Sequence, residues 1–400
     1  MREPLSRNTP SRRDFLKAST ATLSALTWGC HSIDRDEDDA TILEVMRDAI
    51  DIRTLPGTTT GYVVRGQGFF PVIASLGGDE LAVVHRGGDG HVGVGGRLDL
   101  SRSIDGGRTW SAPTTIVDSD LDDRNPAFGA APDGTLWVGY QRRGGYDKDG
   151  EMIVDESIVD TWVIHSIDGG RTWTGDQPLN YTRLNGTSPF GKIRTDRNGT
   201  MYMPSYAGPL LSDLRGFVAT GSDHSPSYLL RSYNHGKTWG DPLLVGIGMG
   251  EPDVLFLPSG DWLLAARFGP LGTCRSSDGG KTWSDFQQVT RSREHPPDLT
   301  LLSNGDVLLT FGRRNPPYGI QGMISRDEGR TWEPRRLVFE DELPGRDTGY
   351  PSTVRLASGR MATVYYASGT AANPHDMQNA INTYCRIISY DESALLSAYA

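Results

Sequence analysis

Two residues able to transfer protons, Glu251 and Tyr350, stand directly before prolines that recur through the chain at intervals of about 56 residues. Glutamate is rarely buried without a partner, so these two residue types at equivalent repeat positions predict a shared polar pocket. Other residues precede the remaining prolines, and for three of these, Phe70, Ser188 and Pro296, we expect only a packing role. The full set is Phe70, Asn125, Ser188, Glu251, Pro296 and Tyr350.

An eight-residue pattern, S-x-D-x-G-x-T-W, indicates the elements that position these residues. An Asp in a tight turn accepts hydrogen bonds from backbone N–H groups, Gly supplies a positive φ, and Trp buries a large apolar surface. Five near-copies of one pattern predict a repeat architecture. The copies begin at Ser103, Ser166, Ser232, Ser276 and Ser325.

The pattern resembles the Asp-box, a hairpin turn that recurs in sialidase-like β-propellers. This resemblance implies an all-β fold, a six-bladed β-propeller of four-stranded antiparallel blades over residues 61–400. A sixth hairpin carries only a truncated box at 389–392, with no Gly, Thr or Trp. We therefore predict that the segment near Tyr62–Arg65 supplies the last outer strand and closes the ring, because an open sheet edge invites unwanted pairing.

The resemblance extends to the site. The segments around Gly349-Tyr350-Pro351-Ser352, Gly250-Glu251-Pro252 and Arg313-Arg314 look like those that carry the sialidase nucleophile, its base and the arginine triad. They imply Tyr350 as nucleophile, Glu251 as its base, and Arg267 and Arg314 as a clamp for the substrate carboxylate, with Arg314 preferred over Arg313. A tyrosine nucleophile is a known exception to the two-carboxylate scheme of glycosidases. The implied activity is retaining hydrolysis of a terminal, sialic-acid-like sugar by an exo-glycosidase.

The first blade departs from the family pattern, because Phe69-Phe70-Pro71 stands where sialidases usually have Arg-Ile-Pro. The first triad arginine is therefore missing, and a nearby arginine must replace it or the sugar must differ. The candidates for replacement are Arg65, Arg86, Arg97 and Arg124.

The general acid is also open. The resemblance implies an Asp in the loop after the second strand of blade one, where Asp89 is the first candidate and His91 its rival. Histidine works as an acid near neutral pH. Asp89 beside Gly90 is equally typical of a simple turn. Two alternatives to the main hypothesis also stay open: a non-catalytic glycan-binding propeller, and a glycosidase of this fold acting on another sugar.

The N-terminus carries an export signal by its pattern. Residues 11–17, SRRDFLK, match the twin-arginine motif and precede an apolar run, so residues 1–29 are predicted to be a signal peptide. Residues 30–60 are predicted to be a linker with a short helix over 41–53. Cys30 is either the lipid-modified residue of a lipoprotein or unmodified. The expected location is the periplasm or the cell surface.

Composition limits the partners. The formal net charge of −10 argues against nucleic acid as a partner and leaves a glycan as the expected one. No His/Cys cluster has zinc spacing, and no Gly-rich loop precedes a helix as phosphate binding requires, so we expect neither a metal nor a cofactor. The remaining cysteines, Cys274 and Cys385, could form a single disulfide or be two buried thiols, and their placement in different predicted blades favours buried thiols.

Overall fold

The computed structural model describes residues 48–400, apart from 148–149, 151–152, 154–158, 185, 208–225, 371 and 374–379. The predicted signal peptide, Cys30 and most of the predicted helix over 41–53 lie outside the described residues. No helix in the described part of the chain is long and apolar enough to cross a membrane.

Within these ranges, the strands form six small sheets arranged as the six blades of a β-propeller, as predicted. The inner strands are Phe69–Gly77, Asp122–Ala130, Ser188–Pro189 with Arg194–Thr195, Gly250–Phe256, Glu294–Leu301 and Thr348–Arg355. The second strands are Glu80–Gly87, Leu136–Arg143, Met201–Tyr206, Trp262–Arg267, Val307–Arg313 and Arg360–Ala367. The third strands are Arg97–Ser103, Val159–Ser166, Pro226–Ser232, Pro270–Ser276, Gly319–Ser325 and Tyr384–Asp391.

The outer strands complete the blades. They are Thr114–Val117, Thr174–Pro178, Gly240–Ile247, Gln287–Ser292, Leu337–Glu340 and Thr59–Arg65. Two short strands add parallel pairs to this antiparallel pattern: Gly191–Lys192 pairs with the inner strand of blade two, and Ile50–Asp51 pairs with the outer strand of blade five.

The ring closes as predicted. Thr59–Arg65 pairs antiparallel with Tyr384–Asp391, so that Thr59 lies opposite Ser389 and Arg65 opposite Tyr384. A strand from the beginning of the propeller therefore completes its last blade. It pairs with the edge of Tyr384–Asp391 that would otherwise be open.

The predicted helix over 41–53 is wrong in its described part. Ile50–Asp51 is a strand and Ile52–Thr54 is a 3₁₀ turn. Ile50 pairs with Leu337, and both Ile50 and Ile52 are buried in a cluster with residues of blades five and six. The apolar spacing thus reflects burial against a sheet edge. The structure does contain a helix, Glu392–Tyr399, which begins at the truncated box and which the sequence pattern did not reveal.

The apolar core lies between neighbouring blades. One cluster joins Leu100 of blade one to Phe128 and Leu136 of blade two, and corresponding clusters occur between the other blades. Cys274 and Cys385 are free, buried thiols in blades four and six, as predicted. Burial raises the pKa of Cys274 to about 12, which makes its thiolate, the reactive form, scarce.

The box turns have the expected chemistry. In the first box, Ser103 Oγ donates to Asp105 Oδ1 at 2.8 Å, and Thr109 N donates to the same oxygen at 2.9 Å. Gly107, with a φ of 87°, donates its N–H to Ser103 Oγ at 2.9 Å. Because strands alternate in direction, these turns after the third strands lie at the opposite end of each blade from the start of the inner strand.

Candidate active site

Four inner strands begin with the same unusual backbone. The residue before the proline has a positive φ in each: 52° at Phe70, 52° at Asn125, 41° at Glu251 and 52° at Tyr350. The pairing register of each strand shifts at this point, which marks a β-bulge. Residues other than glycine adopt a positive φ at an energetic cost, and bulges re-aim side chains. The bulges bring these four side chains to one end of the propeller.

Glu251 and Tyr350 meet at this end. Tyr350 Oη donates to Glu251 Oε1 at 2.9 Å, although the two residues are 99 positions apart. Both are largely buried, and the Tyr350 ring packs against Phe70 and Phe190, with centroids 5.0 and 4.7 Å away. Burial, followed by the charge of Glu251, raises the pKa of Tyr350 well above its usual value. The phenol is therefore neutral at rest and is bonded to a carboxylate that can accept its proton.

Two predicted arginines join this pair. Arg267 Nε lies 2.8 Å from Glu251 Oε2, and about a third of the Arg267 side chain stays exposed (34%). Arg314 Nε donates to the carbonyl oxygen of Thr348 at 2.9 Å, and its Cζ lies 5.4 Å from the centroid of the Tyr350 ring. The neighbouring Arg313 instead donates to the carbonyl oxygen of Pro316 at 3.2 Å. The geometry thus places Arg314, the preferred residue of the two, against Tyr350.

Of the replacement candidates, Arg124 reaches the site. Its Cζ lies 5.7 Å from the centroid of Phe70, whose ring packs on Tyr350. Arg124 Nη1 donates to Asp122 Oδ2 at 3.3 Å, while its buried Nε has no hydrogen-bond partner among the described residues. A guanidinium from blade two therefore lies beside the phenylalanine of blade one.

Arg86, Arg97 and Arg65 have other contacts. Arg86 is fully buried and forms an ion pair with Asp122, with Nη2 2.7 Å from Oδ1. It also donates to three backbone carbonyls of the loop after its strand, at positions 89, 90 and 93. Arg97 Nε donates to Asp99 Oδ1 at 3.1 Å, and Arg65 stacks on Tyr62. The contacts of these three arginines thus lie within the blades and the loop, which gives them structural roles.

The two candidates for the general acid, Asp89 and His91, both lie in the loop at 88–96 but have different contacts. Asp89 accepts backbone N–H bonds from Gly90 at 2.7 Å and from Gly95 at 3.2 Å. A Cβ on Gly93 would lie 2.2 Å from Asp89 Oδ2, so the loop is packed around this carboxylate. These contacts are those of the turn residue that the sequence allowed.

His91, in contrast, reaches the site. Its ring centroid lies 4.9 Å from that of Phe70, and Nδ1 lies 2.9 Å from Asp347 Oδ1. Burial lowers the pKa of His91, the partner Asp347 opposes this, and the charges of Arg124 and Arg314 lower it further.

Three further residues of the site were missed by sequence reasoning. Asp347 is buried and accepts a hydrogen bond from Tyr366 Oη at 2.6 Å. Burial alone would raise the pKa of Asp347, but the hydrogen bond from His91 and neighbouring charges keep it below its usual value. His295 is buried near Arg314 and Arg267; burial and then these two charges lower its pKa to about 2. Only Tyr366 carried a usable signal, since the blade-six hairpin pairs it with Gly349, next to Tyr350.

A polar wall faces the other side of Glu251. Asn125 Nδ2 donates to Ser188 Oγ at 2.7 Å and to Tyr206 Oη at 3.3 Å. Burial and the charge of Glu251 raise the pKa of Tyr206 to about 12. Ser188 was expected only to pack the channel, but it is part of this hydrogen-bonded group. The site thus combines an aromatic wall at Phe70 with a polar wall at Asn125.

Among the described residues, no group of three or more His, Cys, Asp and Glu side chains is placed to hold a metal ion. The chemistry available is that of a buried phenol, a carboxylate, an imidazole and three guanidinium groups.

The chain is similar to proteins of one known family. Residues 88–363 match the BNR repeat-like domain, which is more than half of the chain. A sialidase from Micromonospora viridifaciens is 28% identical over 308 residues, covering 66% of this chain and 44% of the relative. A sialidase from Bacteroides fragilis (strain YCH46) is 24% identical over 336 residues, covering 70% of this chain and 54% of the relative. The chain thus spans about half the length of these two relatives.

Solved structures show the same fold at lower identity. A protein of unknown function from Dyadobacter fermentans has a TM-score of 0.67 and 22% identity, covering 84% of this chain and all of its own. The intramolecular trans-sialidase from Ruminococcus gnavus has a TM-score of 0.59 and 13% identity, covering 85% of this chain and 98% of its own. The chain therefore belongs to the BNR repeat-like domain family and has the six-bladed fold of sialidases.

Proposed function

We propose that the protein is a retaining exo-glycosidase that removes a terminal acidic sugar, such as sialic acid, with Tyr350 as nucleophile. The hydrogen bond between Tyr350 Oη and Glu251 Oε1 carries this proposal, because it joins a nucleophile to a base inside an arginine-bearing site. The similarity to two sialidases supports the same class of substrate.

The phenol suits a sugar whose carboxylate is attached to the anomeric carbon. A charged nucleophile would be repelled by that carboxylate, while neutral Tyr350 would not. In the first step Glu251 takes the phenol proton, the phenol oxygen bonds to the anomeric carbon, and the bond to the leaving oxygen breaks. Water then attacks the same carbon and Tyr350 leaves, taking its proton back from Glu251, while the proton that the water loses balances the one that the leaving oxygen takes up from an acid in the first step.

The arginines would hold the substrate carboxylate. Guanidinium groups bind carboxylates through two parallel hydrogen bonds and stay charged at all working pH values. Arg267 and Arg314 flank Glu251 and Tyr350, and Arg124 approaches from blade two. We propose that these three form the clamp, with Arg124 in place of the arginine that blade one lacks.

One observation favours a second candidate function, hydrolysis of a different sugar by the same machinery. Phe69 stands where the family resemblance implies an arginine, and the neighbouring Phe70 brings an aromatic ring within 5.0 Å of Tyr350. An aromatic ring at this position favours a substrate whose facing edge is less polar than a carboxylate. A panel of chromogenic glycosides, acidic and neutral, separates the two candidates.

The nucleophile can be tested directly. A substrate with a fluorine beside the anomeric carbon and a reactive leaving group should leave the sugar attached to Tyr350, because fluorine slows the second step. Mass spectrometry of the digested protein should show the added sugar on the peptide containing Tyr350. The Tyr350→Phe variant should lose the label and about 10³-fold or more of its turnover. Label on another residue, or unchanged turnover, would remove Tyr350 from the mechanism.

A further inference from the structure

We propose that His91 and Asp347 form a coupled proton donor for the leaving group, with His91 as the acid and Asp347 as its positioning residue. The proposal rests on the proposed function and adds a residue that the sequence did not single out. His91 lies in the loop of blade one and Asp347 at the start of blade six, so the two residues are far apart in the chain. In the folded protein His91 Nδ1 lies 2.9 Å from Asp347 Oδ1.

The position of Asp347 fixes the state of the imidazole. Asp347 is 3% exposed, and its Oδ1 accepts hydrogen bonds from both His91 Nδ1 and Tyr366 Oη. A carboxylate only accepts hydrogen bonds, so Nδ1 must carry a hydrogen. The proton that can be transferred is therefore on Nε2, the other ring nitrogen.

The ring of His91 packs against neighbouring rings and stays partly exposed. Phe70 and Phe69 pack against it, with centroids at 4.9 and 5.9 Å, while about a fifth of its side chain stays exposed (19%). Asp347 lies deeper, so the histidine is the member of the pair that a substrate can reach. This arrangement, a buried carboxylate behind an accessible imidazole, is one that orients a histidine for proton transfer.

The charges around His91 set its protonation. Asp347 favours the protonated ring, whereas Arg124 from blade two and Arg314 from blade five disfavour it; Tyr366, which is neutral, bonds to Asp347. Burial has the largest effect and lowers the pKa of His91, and the arginines add to this, so His91 keeps its proton mainly at acidic pH. The proposed donor should thus work best on the acidic side of neutrality.

The proton balance is simple. In the first step His91 Nε2 gives its proton to the leaving oxygen as the glycosidic bond breaks. In the second step Nε2 takes a proton from the attacking water, which restores the donor. Asp89 is a poorer candidate for both steps, since both of its oxygens accept backbone N–H groups of its own loop.

Two glycosides of the same acidic sugar test the proposal. A 4-nitrophenyl group leaves without a proton, whereas a methoxy group needs one. We expect His91→Gln and Asp347→Asn to slow the methyl glycoside by about 10²-fold or more, with less than a tenfold effect on the 4-nitrophenyl glycoside. The double variant should be no slower than His91→Gln alone, since the two residues act as one unit. Asp89→Asn is the matched control from the same loop and should affect both substrates equally.

A pH measurement separates this proposal from the proposed function. The NMR titration of His91 needs no substrate, and Asp347→Asn should lower its pKa by about one pH unit. In the activity profile, the loss of rate on the basic side should move to lower pH by the same amount. Equal slowing of both glycosides by Asp347→Asn, or an unmoved His91 titration, would overturn the dyad. Tyr350→Phe should instead abolish hydrolysis of both glycosides, and a wild-type protein that cleaves neither would overturn the proposed function itself.

Discussion

The two ends of the blades differ in whether equivalent positions carry the same side chains. At one end, four of the five box turns repeat the same side chains and the same hydrogen bonds. Ser166, Ser276 and Ser325 each donate at 2.8 Å to the Asp two residues later, as Ser103 does. At the other end, four bulges repeat a strained backbone but present four different side chains: Phe70, Asn125, Glu251 and Tyr350. Repetition therefore maintains the scaffold, and divergence at equivalent positions creates a site.

The two ends also differ in how their charges are used. The box aspartates accept hydrogen bonds from their own turn, and Asp278 accepts from Thr282 at 2.9 and 2.7 Å. Glu251 has partners from two blades, Tyr350 of blade six and Arg267 of the second strand of its own blade. A local carboxylate stabilises its own turn, while a carboxylate shared between blades can take part in chemistry. Substitutions at the two ends should thus have separable effects on stability and on activity.

Among the substitutions that compare the two ends, the largest effect is expected at Glu251. In Glu251→Gln the amide oxygen still accepts the hydrogen bond from Tyr350, but the side chain no longer takes its proton. We expect kcat/KM to fall by about 10³-fold, with a melting temperature close to that of the wild type. Steady-state kinetics with an acidic 4-nitrophenyl glycoside measure the first, and calorimetry the second. A variant retaining a tenth of wild-type activity would show that Glu251 is not the base.

A smaller effect is expected at Arg314. Arg314→Lys keeps a positive charge but loses the planar fork that binds a carboxylate, so KM for an acidic glycoside should rise by about 10- to 100-fold. Arg313→Lys is the matched control, because Arg313 bonds to Pro316 rather than packing against Tyr350. Equal changes in KM for the two variants would contradict the placement of Arg314 in the clamp.

The smallest effect is expected in a box turn. Hydrogen bonds from the side chain and backbone of Thr282 lower the pKa of Asp278 to about 2. The folded-state pKa lies below the unfolded value of about 4, so the stabilisation is present above pH 4 and is lost as pH falls toward 2. Asp278→Asn should lower the melting temperature by about 2 °C at pH 7 and reduce its dependence on pH below 4, with kcat unchanged.

The third box provides a natural control for this prediction. Asn234 holds the Asp position there, accepts from Thr238 N at 2.9 Å and donates to Thr238 Oγ1 at 2.9 Å. An amide does not titrate, so Asn234→Ala should lower the melting temperature by a similar amount at pH 7 and at pH 3. If Asn234→Ala and Asp278→Asn shift the melting temperature with the same pH dependence, the charge of the box aspartate has no role.

Much of the scaffold was predictable because its information is local. A box turn makes its hydrogen bonds within five residues, as between Ser103 and Gly107, so the turn can be identified wherever the pattern occurs. The closing strand near Tyr62 followed from the missing outer strand of blade six. The segment at 48–53 was mispredicted because its apolar residues pack on blades five and six, and helical spacing cannot distinguish that burial from an amphipathic helix.

The site was predictable only in part. Glu251 and Tyr350 could be identified by residue type at equivalent positions, but the replacement arginine could not. Arg86 and Arg124 both stand at positions from which an arginine could replace the missing one. A one-residue change of register reverses the direction of a side chain, and the bulge at Asn125 changes the register of the strand that carries Arg124. Asp347 and His295 stand close to the repeated prolines, but no pattern assigned them a role, and each has a partner from another blade: His91 for Asp347 and Arg267 for His295.

The sequence by itself determined the repeated turns, the number of blades, the closure of the ring and the residue types at the start of each inner strand. Each of these depends on short-range hydrogen bonding or on a periodic pattern. Only the tertiary structure decided that Arg124 joins the site while Arg86 supports a loop, and that His91 finds Asp347. The contacts of Arg124 with Phe70 and of His91 with Asp347 join residues that are distant in the chain, and strand register and burial fix them only once the ring has closed.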